Sequence, residues 1–263
     1  MDTATSTNTV TMIEAKKLSK YFGPFVAVED ISFSIPEGQI VAFLGPNGAG
    51  KSTTMRILTG YLAPSKGTTL IAGLDIQEKR TAATSRLGYL PENGPLYLDM
   101  TPLELLRFFG EARGLEEKMI NTRIDYLNNQ HSLQDVMEKP IGKLSKGYRQ
   151  RIGLAQSLIH DPDVLIMDEP TAGLDPNQIR GFRQEIQRLG KTKTILISTH
   201  ILQEVDAIAD RVLFLNNGKL VFDGTPEELK KNGSLEEPFY RMTNRGQPAT
   251  YRSTEQPVPT KFE

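Results

Sequence analysis

Ile40-Val41-Ala42-Phe43-Leu44 runs without a polar residue into Gly45-Pro46-Asn47-Gly48-Ala49-Gly50-Lys51-Ser52-Thr53. Five consecutive apolar residues predict a strand covered on both faces, as at the centre of a parallel sheet. Beyond the loop, Met55, Leu58 and Leu62 fall on one face of a helix. Strand, glycine-rich loop and helix in that order form the context that a phosphate-binding loop requires. The glycines let backbone N–H groups converge on phosphate without obstruction by Cβ atoms. The helix N-terminus adds about half a positive charge. Lys51 supplies a full charge near the terminal phosphates, and the Ser52 hydroxyl is a hard oxygen ligand for Mg2+. Gly45 through Thr53 are therefore the candidate nucleotide-binding residues.

Two further apolar runs have the length of buried strands. Val164 to Met167 ends on Asp168-Glu169, and Ile195 to Ile197 ends on Ser198-Thr199-His200. In an open parallel sheet, strand ends beside a phosphate loop share one crevice. Asp168 then reaches the Mg2+ shell, and Glu169 can hold a water against the γ-phosphate. Taken alone, two acids before a proline are commonly a strand leaving the core. The phosphate loop gives them their meaning.

Bulk properties narrow the class. A chain of 263 residues with 38% hydrophobic and 24% charged residues can bury a full core. A net charge of −1 argues against binding nucleic acid through bulk positive charge. There is no cysteine, which excludes disulfides and thiolate metal sites and suits a cytosolic protein. No apolar run approaches the ~20 residues needed to cross a bilayer. The Thr- and Ser-rich start is unlike a secretion signal. Any membrane role is thus expected to come through a partner.

Along the chain, residues 1–11 read as a disordered leader and residues 243–263, polar and proline-containing, as a flexible tail. Ile31, Phe33 and Ile35 alternate with polar residues, as in a half-exposed strand. Thr101-Pro102-Leu103-Glu104 and Thr225-Pro226-Glu227-Glu228 both predict capping boxes. Asp175-Pro176 opens another helix, and residues 211–224 read as a hairpin turning at Asn216-Asn217-Gly218. From about Asn93 to Asp161 the strand rhythm gives way to helices, as for a helical insertion in an α/β core. No internal repeat is visible, so one unit is expected over residues 12–242.

Further motifs carry a resemblance. Leu144-Ser145-Lys146-Gly147-Tyr148-Arg149-Gln150 precedes the strand to Asp168, Gly173-Leu174-Asp175 follows Glu169, and His200 closes the next strand. In this order the chain resembles the ATP-binding cassette (ABC) family over almost its whole ordered length. The resemblance implies a P-loop NTPase core of mixed, mainly parallel sheet, with an antiparallel β subdomain and an inserted helical subdomain. It implies ATP and Mg2+ as ligands, Glu169, His200 and Lys51 in hydrolysis, and His200 at the γ-phosphate and attacking water. Phe22 falls where the family places an aromatic against adenine, with Tyr21 as the neighbouring candidate. Ser145, Gly147, Tyr148 and Asp175 would meet the ATP of a second cassette in a head-to-tail dimer. Ser145 is expected to start a helix running to about His160, so its hydroxyl and the Gly147 N–H lie at an anion-attracting terminus.

Two residues depart from the family pattern. Glu92 stands after the strand Leu87 to Leu90 where Gln is usual; it can still offer Mg2+ an oxygen but adds negative charge. Lys146 replaces a signature glycine. The motifs around Gly88–Glu92, Leu144–Gln150 and Ser198–Glu204 are similar to the ATPase subunits of ABC-2-type transporters. Within these they lie closest to the gliding-motility-associated, multidrug and polysaccharide export group. The resemblance implies a separate membrane permease and a cytoplasmic place on the inner face of the membrane. The alternative class is a soluble, non-transport cassette; such proteins usually carry paired cassettes, coiled-coil insertions or zinc modules.

Overall fold

The computed structural model describes residues 10–92, 97–230 and 234–243. The expected tail beyond Thr243, most of the expected leader and the first residues of the helical insertion lie outside this set. Thr11, expected in the leader, is already the first residue of a strand.

An antiparallel sheet is built from β1 (Thr11–Phe22), β2 (Phe25–Pro36), β4 (Lys66–Ile71) and the short β5 (Leu74–Asp75), in the order β2-β1-β4-β5. Between β2 and β4 the chain dips into the second sheet through β3 (Ile40–Leu44) and α1 (Lys51–Leu58). After α2 (Arg80–Ser85) it supplies β6 (Leu87–Leu90). The helical insertion follows, with α3 (Pro102–Ala112), α4 (Glu117–His131) and α5 (Lys146–Leu158). The core then resumes with β7 (Val164–Asp168), α6 (Pro176–Gly190), β8 (Thr194–Thr199) and α7 (Leu202–Ile208). The described chain closes on β9 (Arg211–Asn216), β10 (Lys219–Gly224), α8 (Pro226–Leu229) and α9 (Glu236–Thr243).

The second sheet has the order β10-β9-β3-β8-β7-β6, parallel except for the β10 edge. Its apolar runs serve two layers, because successive strand side chains point to opposite faces. Val41 and Phe43 of β3, Val164 and Ile166 of β7, and Leu196 of β8 join the core beneath the antiparallel sheet. Leu165, Met167, Ile195 and Ile197 instead pack with the helical insertion. Continuous hydrophobicity in these strands is thus the signature of two-sided burial. Met55 and Leu58 of α1 are fully buried, and Leu62 packs on the same core from just beyond the helix.

Local signals form as the residues dictate. Both Thr-Pro-x-Glu segments make complete capping boxes, at Thr101 and Thr225. Asp175 caps α6, accepting from the N–H groups of Asn177 and Gln178 at 2.9 and 3.0 Å. Ser145 caps α5, accepting from the Tyr148 N–H at 3.4 Å. Among the described residues, no helix is long and apolar enough to cross a membrane.

Candidate functional site

Sheet order creates the site. β8 lies between β3, which feeds the phosphate loop, and β7, which ends in the acids. Leu44 is in register with Thr199, and Asp168 with Ser198. The carboxyl ends of three adjacent parallel strands therefore finish level, with loop, histidine and acids side by side.

The loop turns where only glycine fits. Gly50, at φ 104° on the threshold of α1, has no room for a Cβ against the Ala27 carbonyl. A Cβ on Gly45 would strike the Leu215 carbonyl. Lys51, only 6% exposed, folds back so that its ammonium donates to the carbonyls of Gly45 at 2.8 Å and Pro46 at 3.2 Å.

The same ammonium lies 3.2 Å from Glu169 Oε1, and Glu169 Oε2 lies 2.8 Å from His200 Nδ1. Since a carboxylate oxygen only accepts, Nδ1 carries the hydrogen in that contact. The Glu169 backbone sits at φ +46°, a conformation that costs a non-glycine residue on the order of 1–3 kcal/mol. Ser198 supports it, since its hydroxyl accepts the Glu169 N–H at 2.9 Å and donates to Asp168 Oδ1 at 2.5 Å. The other neighbour of Asp168 Oδ1 is the Ser52 hydroxyl, at 3.2 Å. Glu169 and Asp168 are thus adjacent in sequence but face different partners, one the lysine and histidine, the other two serines.

A pocket of about 490 Å³ opens above these groups. Asn47, Gly48, Gly50, Lys51, Ser52 and Thr53 form its floor, with Glu92, Glu169, Ala172 and His200 around it. Ser52, Glu92 and, directly behind Ser52, Asp168 make a set of hard oxygen donors suited to Mg2+. Phe25 and Ala27 close the remaining side.

The two aromatic candidates lie in different surroundings. Tyr21 lines a separate cleft on the antiparallel sheet, with the Lys66 ammonium 5.8 Å from its ring centroid. It is not among the residues that line the pocket above the phosphate loop. Phe22, its successor on β1, is exposed and pairs in register with Phe25 across the Gly23-Pro24 turn. Phe25 carries no such signal in the sequence, because an aromatic opening a strand ordinarily reads as core; here it is 61% exposed.

Ser145, Gly147, Tyr148 and Asp175 do not line this pocket. They form a second cluster, where the N-terminus of α5 packs on α6 so closely that a Cβ on Gly147 would strike the Gln178 amide. The Lys146 side chain reaches Gly173, where its ammonium occupies the space a Cβ would take. Each chain thus presents a phosphate pocket and, apart from it, a signature helix terminus.

Comparison with known proteins identifies the family. The family model for the ABC transporter matches residues 28–172, more than half of the chain. The chain belongs to the ABC transporter family. It carries that family's ATP-binding, ATP-hydrolysing domain. It is 38% identical over 228 residues to a probable multidrug ABC transporter ATP-binding protein, YbhF, of Escherichia coli (strain K12), covering 86% of this chain and 39% of that protein. With the ABC transporter ATP-binding protein NatA of Bacillus subtilis (strain 168) it shares 40% identity over 217 residues, 81% of this chain and 88% of NatA. With the Nod factor export ATP-binding protein I of Ralstonia nicotianae it shares 40% over 220 residues, 83% and 68% of the two chains. A solved ATP-binding subunit of an ABC transporter superposes with a TM-score of 0.81 at 30% identity, covering 88% of this chain and 99% of the other. The cassette thus spans about two fifths of the length of the E. coli relative.

Proposed function

We propose that the cassette is the ATP-driven subunit of an exporter, working as a head-to-tail pair with two ATP molecules held between the copies. The observation that carries this reading is the split between the pocket walled by Lys51, Ser52, Glu169 and His200 and the separate helix terminus at Ser145. ATP seated on the loop N–H groups turns its γ-phosphate outward. The Ser145 hydroxyl and Gly147 N–H of a second copy then close on it, with Tyr148 and Asp175 beside them. One unit over residues 12–242, with a helical subdomain over about 93–161, is consistent with that arrangement.

Within the pocket, Lys51 leaves its loop carbonyls for the phosphates and offsets the charge that grows on them. Ser52, Asp168 and Glu92 are the residues that would hold Mg2+, which would offset negative charge on the phosphates. Glu169 takes a proton from the attacking water. His200, fixed through Nδ1 on Glu169, presents its other ring nitrogen toward the γ-phosphate. Phe25, which lines the pocket, and Phe22, paired with it across the turn, offer ring faces to adenine.

Export through a separate membrane permease draws support from relatives named for multidrug transport and Nod factor export. On that reading the cassette sits on the cytoplasmic face of the membrane through its partner. The ABC-2 class, including its gliding-motility-associated members, rests on the signature and switch motifs. Copurification with an integral membrane subunit separates transport from a soluble cassette role.

The site reading is tested by Glu169→Gln, which keeps size and an acceptor oxygen but takes no proton. Turnover should fall by about 10²–10⁴ with nucleotide binding retained. Light scattering after size exclusion should show a dimer with Mg-ATP and a monomer with ADP. Adding Ser145→Arg should abolish that dimer. A variant monomeric in saturating Mg-ATP, or hydrolysing at the parent rate, overturns the reading.

A further inference from the structure

We propose that Glu204 is a positioning residue for hydrolysis, tying the segment after Glu169 to the segment before His200. This rests on the proposed roles of Glu169 and His200. Glu204 lies in the first turn of α7, where acids usually face water, yet it is only 2% exposed. Burial of a carboxyl is costly unless its oxygens are engaged. Here both are engaged by hydroxyls from two different strand exits. Thr171, two residues beyond Glu169, donates to Oε1. Thr199, immediately before His200, donates to Oε2 at 2.5 Å.

The direction of the Thr199 bond is determined by its surroundings. Thr199 Oγ1 also accepts the Ile201 N–H at 3.0 Å, so its own hydrogen is left for Glu204. The Glu204 N–H donates to the Ile201 carbonyl at 3.1 Å, which holds its backbone against the same turn. Both threonines are buried, at 4% and 1% exposure. Glu204 lies outside the lining of the phosphate pocket, so it acts through its neighbours. Two loops that enter the site from different strands are clasped by one carboxyl. The Glu169–His200 contact of 2.8 Å is the distance the clasp holds.

The test compares Glu204→Ala, Glu204→Gln and Thr171→Val in the full chain, reading kcat for ATP beside affinity for a fluorescent ATP analogue. Glu204→Ala and Thr171→Val should each lower kcat about tenfold or more while affinity stays within about twofold, since the loop and Lys51 are untouched. Glu204→Gln keeps an acceptor for Thr199 and offers its amide N–H to Thr171, so it should stay within about threefold of the parent. Parent-like kcat in Glu204→Ala overturns the proposal, as does affinity lost in step with kcat, or Gln falling as far as Ala. Gln and Val are near-isosteric with the residues they replace, so the comparison survives if the alanine variant does not fold. Should the parent itself fail to hydrolyse ATP, the site reading fails first, and the two failures are told apart.

Discussion

Glu169 Oε2 lies 2.8 Å from His200 Nδ1 while Oε1 of the same carboxyl lies 3.2 Å from Lys51 Nζ. One side chain, 10% exposed, thereby joins the loop cation to the histidine of the neighbouring strand. A buried charge whose partner is removed costs far more than the pair contributes. Substitution at any of the three is therefore expected to disturb the other two.

Lys51→Ala deletes the cation and leaves the Glu169 carboxyl facing only His200. ATP turnover should disappear and nucleotide affinity should weaken, a charge-assisted contact being worth on the order of 1.5–3 kcal/mol. Fluorescent-nucleotide titration beside a phosphate-release assay measures both. Unchanged affinity together with unchanged turnover would remove the loop from the mechanism.

Glu92→Gln removes a negative charge from the pocket wall and keeps an amide oxygen for the metal. Hydrolysis should survive within about tenfold, with half-activation at a different Mg2+ concentration because repulsion of the phosphates falls. A metal titration of the rate provides the comparison. Complete loss of activity would assign Glu92 a proton-transfer role instead.

His131 and His160 give the fold a pH dependence outside the site. Burial pushes each imidazole down to about 4, with Arg188 and Arg151 adding to it at His131 and Arg113, Lys193 and Arg123 at His160. Glu185 opposes the shift at His131, and the bond to the Leu87 carbonyl opposes it at His160. The unfolded chain, with ordinary values near 6.5, binds more protons between pH 6.5 and 4. Stability should therefore be fully present above pH 6.5 and fall as pH drops through that window. Each tenfold difference in proton affinity between the folded and unfolded chain contributes about 1.4 kcal/mol to that loss. Thermal melts from pH 7 to pH 4 should show the decline, and the double variant His131→Gln, His160→Gln should flatten it. An identical slope in that variant would place the acid sensitivity elsewhere.

Much of this protein was legible locally. Strand, loop and helix around Gly45–Thr53, the capping boxes at Thr101 and Thr225, and the helix openings at Ser145 and Asp175 all follow from neighbouring residues. A cap or a left-handed glycine is satisfied within a few residues, so its pattern is written in the chain order. The two-sided burial of β3, β7 and β8 was legible for the same reason, since apolar runs need no partner to be recognised.

What tertiary structure alone decided depends on strands brought together from far apart in the chain. Inserting β8 between β3 and β7 placed Ser198 on both Asp168 and the Glu169 N–H, and His200 against Glu169. Period-two reversal along β1 sent Tyr21 to another cleft, while a turn brought Phe25 to the pocket lined by Lys51 and Ser52. Lys146, visible as an oddity in the signature, acquired its neighbour Gly173 only through the packing of α5 on α6. Glu204 reads in sequence as an ordinary first-turn acid, because the two threonine hydroxyls that bury it arrive from different strand exits. Register between distant strands determines which side chains meet, and no local periodicity encodes that register.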